Sequence, residues 1–341
     1  MTHRFPIKEI AAQAGLGTAT IDRALNNRAN VSPQTHARVQ KALEELKSQE
    51  TLLSANGRRL FFDFIVEAPK RFSNEIKRAV EVAIPEIGNA VCRSRFTSNE
   101  FMSDDDIISI LKRVQLRGSH GVCIKTRNTP RIRDAINTVC QSGIPVITLV
   151  TDLNGTDRIA YVGLDNVGAG ETAAYLIEQT LGNQRKTILT TQSNEYFLGE
   201  ANRESAFYTK LKSNTPKINV IKIKGGGGLD RPTKSLVYDA ISNLQSIDGV
   251  YSMGGGNKSI LSALKELNFK PKIFIAHDLD TDNRDLLLKR KITFVLHHNL
   301  KNDLKQVFYT FLSNIGLYPP QPNIIASNID VVTPLNLPKW R

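Results

Sequence analysis

Cysteine is scarce in this chain: Cys92, Cys123 and Cys140 are the only three in 341 residues, with no C-x-x-C pair and no histidine at metal-ligand spacing. That excludes a disulfide framework and a zinc-stapled fold, and leaves reduced, structural thiols. No apolar run approaches the ~20 residues needed to cross a bilayer, so no membrane partner is expected. Met1 to Phe5 lead directly into a polar amphipathic helix and not into a leader peptide, which makes the cytoplasm the expected compartment. Catalytic signatures are missing too. No nucleophile–base pair in a recognisable setting and no metal-ligand cluster is present, so no enzyme, metal or cofactor is expected. The glycine runs fail as phosphate loops. In Gly254-Gly255-Gly256-Asn257-Lys258-Ser259 an asparagine stands where that motif needs glycine before the lysine, and no glycine lies five residues earlier. A tight strand-to-helix turn lining a cleft is expected there, and a flexible loop at Gly225 to Gly228.

Basic residues are in excess: 45 Lys and Arg against 33 Asp and Glu give a formal net charge of +12. Such a balance favours an anionic partner such as nucleic acid. The first fifty residues give that charge a setting. Ile7, Ile10, Ala11 and Ala14 fall at helical spacing, Gly15-Leu16-Gly17 makes a turn, and Thr18 to Asn26 places Ile21 and Leu25 on one face. Ser32-Pro33 opens a third helix, with serine as cap and proline at the first helical position, carrying Val39, Leu43 and Leu46 inward. Three short helices around one apolar centre make a small helix-turn-helix domain that can place a helix in a DNA groove.

Lys47 to Leu60 breaks this pattern and reads as a linker. Beyond it, apolar strands alternate with amphipathic helices from Phe61 to Asn314. Such alternation implies parallel sheets with right-handed crossovers, and so many strands in this length imply two doubly wound lobes with a ligand cleft beyond the carboxyl ends of the strands.

The head resembles that of the LacI/GalR family of bacterial transcription regulators. The resemblance rests on I-K-E-I-A-A-Q-A-G-L (Ile7 to Leu16), T-A-T-I-D-R-A-L-N (Thr18 to Asn26) and V-S-P-Q-T (Val31 to Thr35). The body is similar to that family's effector domain and to periplasmic sugar-binding proteins, through I-P-V-I-T-L (Ile144 to Leu149), Y-V-G-L-D-N-V-G-A-G (Tyr161 to Gly170) and I-A-H-D-L (Ile275 to Leu279). The resemblance implies an α/β chain: a three-helix head over 1–50, a linker or hinge helix over 51–60, and a two-lobed periplasmic-binding-protein-like body over 61–341. Lobe 1 is expected over about 61–162 and 292–320, and lobe 2 over about 163–291 and 321–338.

By the same resemblance Thr18 and Ala19 read base edges, joined by Arg23, while Thr20, Asn26 and Thr35 touch phosphates, which orient without specifying. An ordinary solvated charge is the alternative for Arg23. Leu52 or Leu53 would wedge into the minor groove as a hinge helix; a plain connector or a continued third helix are the alternatives. Three departures stand out. Gly17 replaces a helix-capping serine, so Thr18 is expected to cap. Asp22 replaces a serine and should repel phosphate unless Arg23 or Arg28 neutralises it. The usual Y-x-P-N segment after the third helix is absent.

In the cleft the resemblance places Arg203 and Asp278 on ligand hydroxyls, His298 where sugar binders often carry glutamine, and Phe72 against the sugar ring. A helix or turn cap is the alternative for Asp278, a core side chain for Phe72, and a surface pair or pH-sensitive element for His297-His298. Thr151 and Asp152 follow a strand and should face the cleft, as should Gly256-Asn257, which replaces an Asn-Asp pair. The acid and arginine that sugar binders often carry at Val150 and Thr151 are missing, so no particular sugar is indicated. Asp165-Asn166 is expected to order the crossover between lobes. The implied function is a ligand-responsive transcription regulator, a repressor, acting as a homodimer on a pseudo-palindromic operator under control of a small sugar or polyol. The alternative is a small-molecule binding protein whose head has lost DNA reading.

Overall fold

The computed structural model describes residues 4–29, 31–55, 59–87, 91–320 and 326–338, with side chains at 51–55 and 91 outside the description. Helices α1 (Ile7–Ala14), α2 (Thr18–Leu25) and α3 (Pro33–Ala55) form the head. Phe5, Ile10, Ala14, Ile21, Ala24 and Val39 bury a common centre, with Leu43 and Leu46 packed beside it. Ser32 caps α3, its hydroxyl accepting from the Thr35 N–H at 3.2 Å.

The third helix does not stop near residue 47. It runs on to Ala55, so the expected linker is helical from Lys47 to Ala55, the alternative of a continued third helix. The stretch contains no glycine or proline before Gly57 to break it. Its later turns are also tied back to the amino-terminal segment: Gln13 donates to Glu45 at 2.6 Å and Arg4 to Glu50 at 3.0 Å. Leu52 and Leu53 lie on α3 by their backbone, and their side chains lie outside the described residues.

The first lobe is built on β1 (Arg59–Glu67), β2 (Val91–Asn99), β3 (Gly121–Lys125), β4 (Val146–Leu149) and β5 (Ala160–Val162), all parallel, in the order β2-β1-β3-β4-β5. Helices α4 (Lys70–Ala83), α5 (Asp104–Arg117) and α6 (Pro130–Gln141) cross between them. Strand β2 was not legible in the sequence. It is the edge strand, and Arg93, Ser94, Arg95, Thr97 and Ser98 give it no apolar alternation.

The second lobe comprises α7 (Asn166–Leu181), β6 (Thr187–Gln192), α8 (Leu198–Asn214), β7 (Asn219–Lys224), α9 (Asp230–Ile241), β8 (Gly249–Ser252), α10 (Asn257–Glu266), β9 (Ile273–His277), α11 (Thr281–Leu288), β10 (Phe294–His297) and β11 (Asp330–Val332). Its sheet runs β11-β10-β9-β8-β6-β7, parallel except for β11. Strand β10 pairs with β9, so the return to the first lobe falls after His297, not at residue 292 as the sequence reading had it. An apolar run such as Ile292 to Leu296 carries no mark of the sheet it will join. Helix α12 (Leu300–Asn314) does pack on the first lobe, where Phe311 stacks on Phe62 at 5.2 Å and Phe308 meets it edge-on at 5.5 Å.

Among the described residues no helix is long and apolar enough to cross a membrane. All three cysteines are free thiols.

Helices α7 and α8 sit so close that a Cβ on Gly170 would collide with the Arg203 carbonyl oxygen and lie 2.9 Å from the Phe207 nitrogen. In a free helix alanine is better than glycine by about 1 kcal/mol. Here overpacking, at about 1–3 kcal/mol, outweighs it. Gly170→Ala should therefore lower the midpoint of urea unfolding; a higher midpoint would contradict this packing.

Candidate functional site

Two surfaces carry polar groups that the fold itself does not use. The first is the outer face of α2. Ile21 and Ala24 turn inward, leaving Thr18, Ala19 and Arg23 exposed and Thr20 half-buried. The Arg23 side chain pairs with no carboxylate among the described residues. Gly17 occupies the cap position of α2, and among the described residues no side chain caps the helix. The expected Thr18 cap is therefore absent: Thr18 is already the first helical residue, and its hydroxyl cannot reach back. The leading N–H groups of α2 stay open to an external acceptor. Asp22 is neutralised as the sequence required, by Arg28 at 3.1 Å; Asn26 also donates to it at 2.9 Å. The Asn26 amide is thus engaged within its own helix. Thr35 is half-buried beside the Ser32 hydroxyl, 2.9 Å away.

The second surface is the cleft. Both sheets reverse their strand order beside their first strand, β1 against β3 and β6 against β8, and parallel sheets open a crevice at such a point. Residues just past those strands line one cavity of about 590 Å³, its open mouth included: Ala68 and Pro69 after β1, Lys125 at the end of β3, Ser193 after β6, and Met253 with Gly254 after β8. Phe72, Thr151, Arg203 and Asp278 also line it. Two lining residues, Val150 and Asp278, hold left-handed backbone, both at φ 64°. That conformation costs a non-glycine residue about 1–3 kcal/mol and needs a surrounding structure that enforces it.

Four expected cleft residues lie elsewhere. Asp152 turns away from the cavity into a bidentate pair with Arg158 and also accepts from Thr148 at 2.7 Å. Those bonds outweigh burial and hold its carboxyl below the usual range. Gly256 caps α10 in left-handed backbone, and Asn257 is buried on Asn283 at 2.6 Å; Gly254 and Gly255 reach the cavity instead. His298 is fully buried behind the cavity wall, its Nδ1 2.5 Å from Asp303 and its Nε2 3.5 Å from Asp278.

Arg71, Lys125 and Glu200 line the cavity unannounced by the sequence. The one available signal was position: Lys125 closes a central strand at its carboxyl end, where side chains enter a crevice. Arg71 bridges the lobes, donating to the Gly228 carbonyl at 2.7 Å and pairing with Asp280 at 2.8 Å. Gly255 leaves room for this guanidinium, because a Cβ there would strike it. Burial pushes the Asp280 carboxyl up to about 6. Arg203 donates to Asn166 at 2.7 Å, and Asn166 donates to the Tyr161 hydroxyl at 3.0 Å, beside the crossover from β5 to α7 that Asp165 caps. Among the described residues His277 Nδ1 and Asp278 Oδ1 are buried with no hydrogen-bond partner, Asp278 Oδ1 lying 3.5 Å from His298 Nε2.

A family model described as bacterial regulatory proteins, lacI family, matches residues 6–47, and one described as periplasmic binding protein domain matches residues 64–311. The chain belongs to the lacI family of bacterial regulatory proteins, with a periplasmic binding protein domain as its body. No curated protein matches this regulator. Similar solved structures include GanP, a glucose-galactose binding protein from Geobacillus stearothermophilus (TM-score 0.72, 16% identity, 83% of this chain and 100% of that one). Another is a solute binding protein of an ABC transporter from Burkholderia graminis, in complex with D-arabinose (TM-score 0.75, 18% identity, 84% and 98%). A third is the fructose binding periplasmic domain of a hybrid two-component system (TM-score 0.73, 16% identity, 81% and 91%). At these identities the likeness establishes the fold of the body.

Burial alone would lower the His298 pKa. The hydrogen bond and charge of Asp303, with the charge of Asp278, outweigh it and hold the imidazole above its ordinary 6.5. Stability from a raised histidine is fully present below pH 6.5 and is lost as pH rises through the folded value. His298→Asn should therefore cost most stability in acid, and its deficit against wild type should shrink as the pH is raised. Urea unfolding over a pH series measures this; a deficit that grows with pH would mean the His298–Asp303 contact is uncharged.

Proposed function

We propose that this regulator is an effector-controlled repressor: a homodimer that binds a pseudo-palindromic operator through its two heads and takes a small sugar or polyol between its lobes. One observation carries the reading. A single chain joins an uncapped, outward-facing recognition helix to a polar cavity that its two lobes close together. Thr18, Ala19 and Arg23 would face base edges, and the open N–H groups of α2 with Thr20, Asn26 and Thr35 would meet phosphates. A hinge contact from Leu52 or Leu53 belongs to the same proposal. The sugar class is supported by what the structural neighbours bind, and by a lining that alternates donors (Arg203, Lys125) with acceptors (Glu200, Asp278, His277). Phe72 offers an apolar face alongside them.

Control would come from the lobes. Arg71 ties them across the cleft mouth, so an effector changes their closure only through its own difference in affinity for the two arrangements. Arg203 couples the cavity floor to the β5–α7 crossover through Asn166.

The test is competition binding at near-physiological salt. An inverted-repeat operator should outcompete random DNA. Arg23→Ala should lose about 1–3 kcal/mol of discrimination at one base pair in each half-site while largely keeping its non-specific affinity. If no inverted repeat outcompetes random DNA, the regulator reading fails and the head has lost sequence reading.

A further inference from the structure

A third charged surface lies at the pole of the second lobe remote from the cleft. It is a groove of about 1690 Å³, its open face included. One bank is a face of α10, where Lys258, Leu261 and Lys265 recur at helical spacing. The other is made by the loops that lead into β9 and β10, with Lys270, Lys272, Arg290 and Lys291. Buried Leu264, Phe274 and Ile292 give it an apolar floor. All six basic side chains are exposed, and no acid lines the groove. Among the described residues Lys258 alone of the six has a carboxylate partner, Asp282 at 2.5 Å. Neighbouring acids are held by lysines outside the groove, Glu266 by Lys234 at 2.6 Å and Asp285 by Lys289 at 2.9 Å. Five cations are left without a counter-charge. Helices α10 and α11 both end here, and cations favour the carboxyl ends of helices. Each such end carries only about half a negative charge, so the two offset about one of the five. Arg290 adds a separate observation. Its N–H donates to the Leu287 carbonyl at 3.0 Å and that of Lys291 to Leu286 at 2.8 Å, closing α11 with Arg290 in left-handed backbone at φ 53°. Glycine is the usual residue at that position, and an arginine there is strained. A cation is kept where the backbone favours none.

We infer that this groove docks an acidic amphipathic segment of a partner protein, with carboxylates paired along both banks and aliphatic side chains on the floor. The DNA held by the head cannot reach it. The head joins the body at Arg59, the start of β1, and the parallel strands of both lobes run toward the cleft. The starts of β9 and β10 therefore lie at the opposite pole. The lining also favours carboxylates over phosphates. A phosphate concentrates charge and suits donors that converge on one point, as at a helix amino end. Here the cations are strung along two banks, and the helices present carboxyl ends, whose carbonyls repel a dianion more than a single carboxylate. Phe269 is half-buried and Phe274 buried, so neither offers an open face on which a base could stack. Nothing in this assignment depends on what the cleft binds.

Fluorescence anisotropy on the full chain at near-physiological salt tests this, with a labelled helical peptide of glutamate and leucine whose leucines recur every three or four residues. Two unlabelled peptides compete with it, one with serine for leucine and one with glutamine for glutamate. The parent peptide should bind, and each competitor should be at least about tenfold weaker, because charge and apolar seats are both required. In the variant K270E/K272E/K291E the parent peptide should lose about tenfold or more, and a peptide with lysine for glutamate should bind better than it does to wild type. Affinity for a short random-sequence DNA duplex should be largely unchanged. Should the variant not fold, the peptide ratios on wild type still decide. No binding of the parent peptide, or equal binding by either competitor, would overturn the inference. A comparable loss of duplex affinity in the variant would overturn it by giving the groove to nucleic acid. A changed oligomeric state in the variant would overturn it by giving the groove to a second copy of the chain.

Discussion

The two lobes hold together at Asp303. This buried carboxylate, one turn into α12, accepts from His298 on the return from β10 and from the Ser327 hydroxyl on the final crossing. Ser327 bridges in turn to the first crossing, its N–H donating to the Gly163 carbonyl at 2.8 Å. All three passages between lobes are thus fastened to one acid. A buried charge is tolerated only when its acceptor sites are filled, and here each bond that fills one also pins a strand of the hinge. Asp278 in the cleft wall faces the far side of the same imidazole, so the hinge and the cavity share a charged group.

The cavity follows from that constraint. Two sheets of like strand order, hinged at one edge, must oppose their switch points across a gap. The side chains in the gap are those at strand carboxyl ends. Arg71 spans it from the first lobe, contacting Asp280 and Gly228 in the second. The lobes are therefore closed by protein contacts that an occupant has to accommodate or replace.

The sequence made the head legible almost to the residue, because helical spacing, a glycine turn and a Ser-Pro start are local signals that tertiary context seldom overrides. The alternation of strands and helices was legible for the same reason, apart from polar β2 and short β11. Long-range facts were not. The lobe that claims β10 is decided by pairing partners 19 residues or more away, and the continuation of α3 depends partly on contacts back to Arg4 and Gln13. In the cleft, Phe72, Thr151, Arg203 and Asp278 were found by analogy of position. Asp152 was misplaced because an acid after a strand looks alike whether it faces a cavity or an arginine six residues on. Lys125 and Arg71 escaped notice because a lysine ending a strand reads as a step into solvent, and only the second lobe turns that step into burial.

Val150 and Asp278 hold left-handed backbone on opposite walls of the cleft, each at the end of a buried strand. A non-glycine residue keeps such geometry only while its neighbours insist on it, so both walls are shaped before anything arrives. The ordering entropy of that seat is lost during folding and not at the moment of encounter. A molecule that fits gives up chiefly its own freedom, and one that does not fit meets a surface with little ability to adapt.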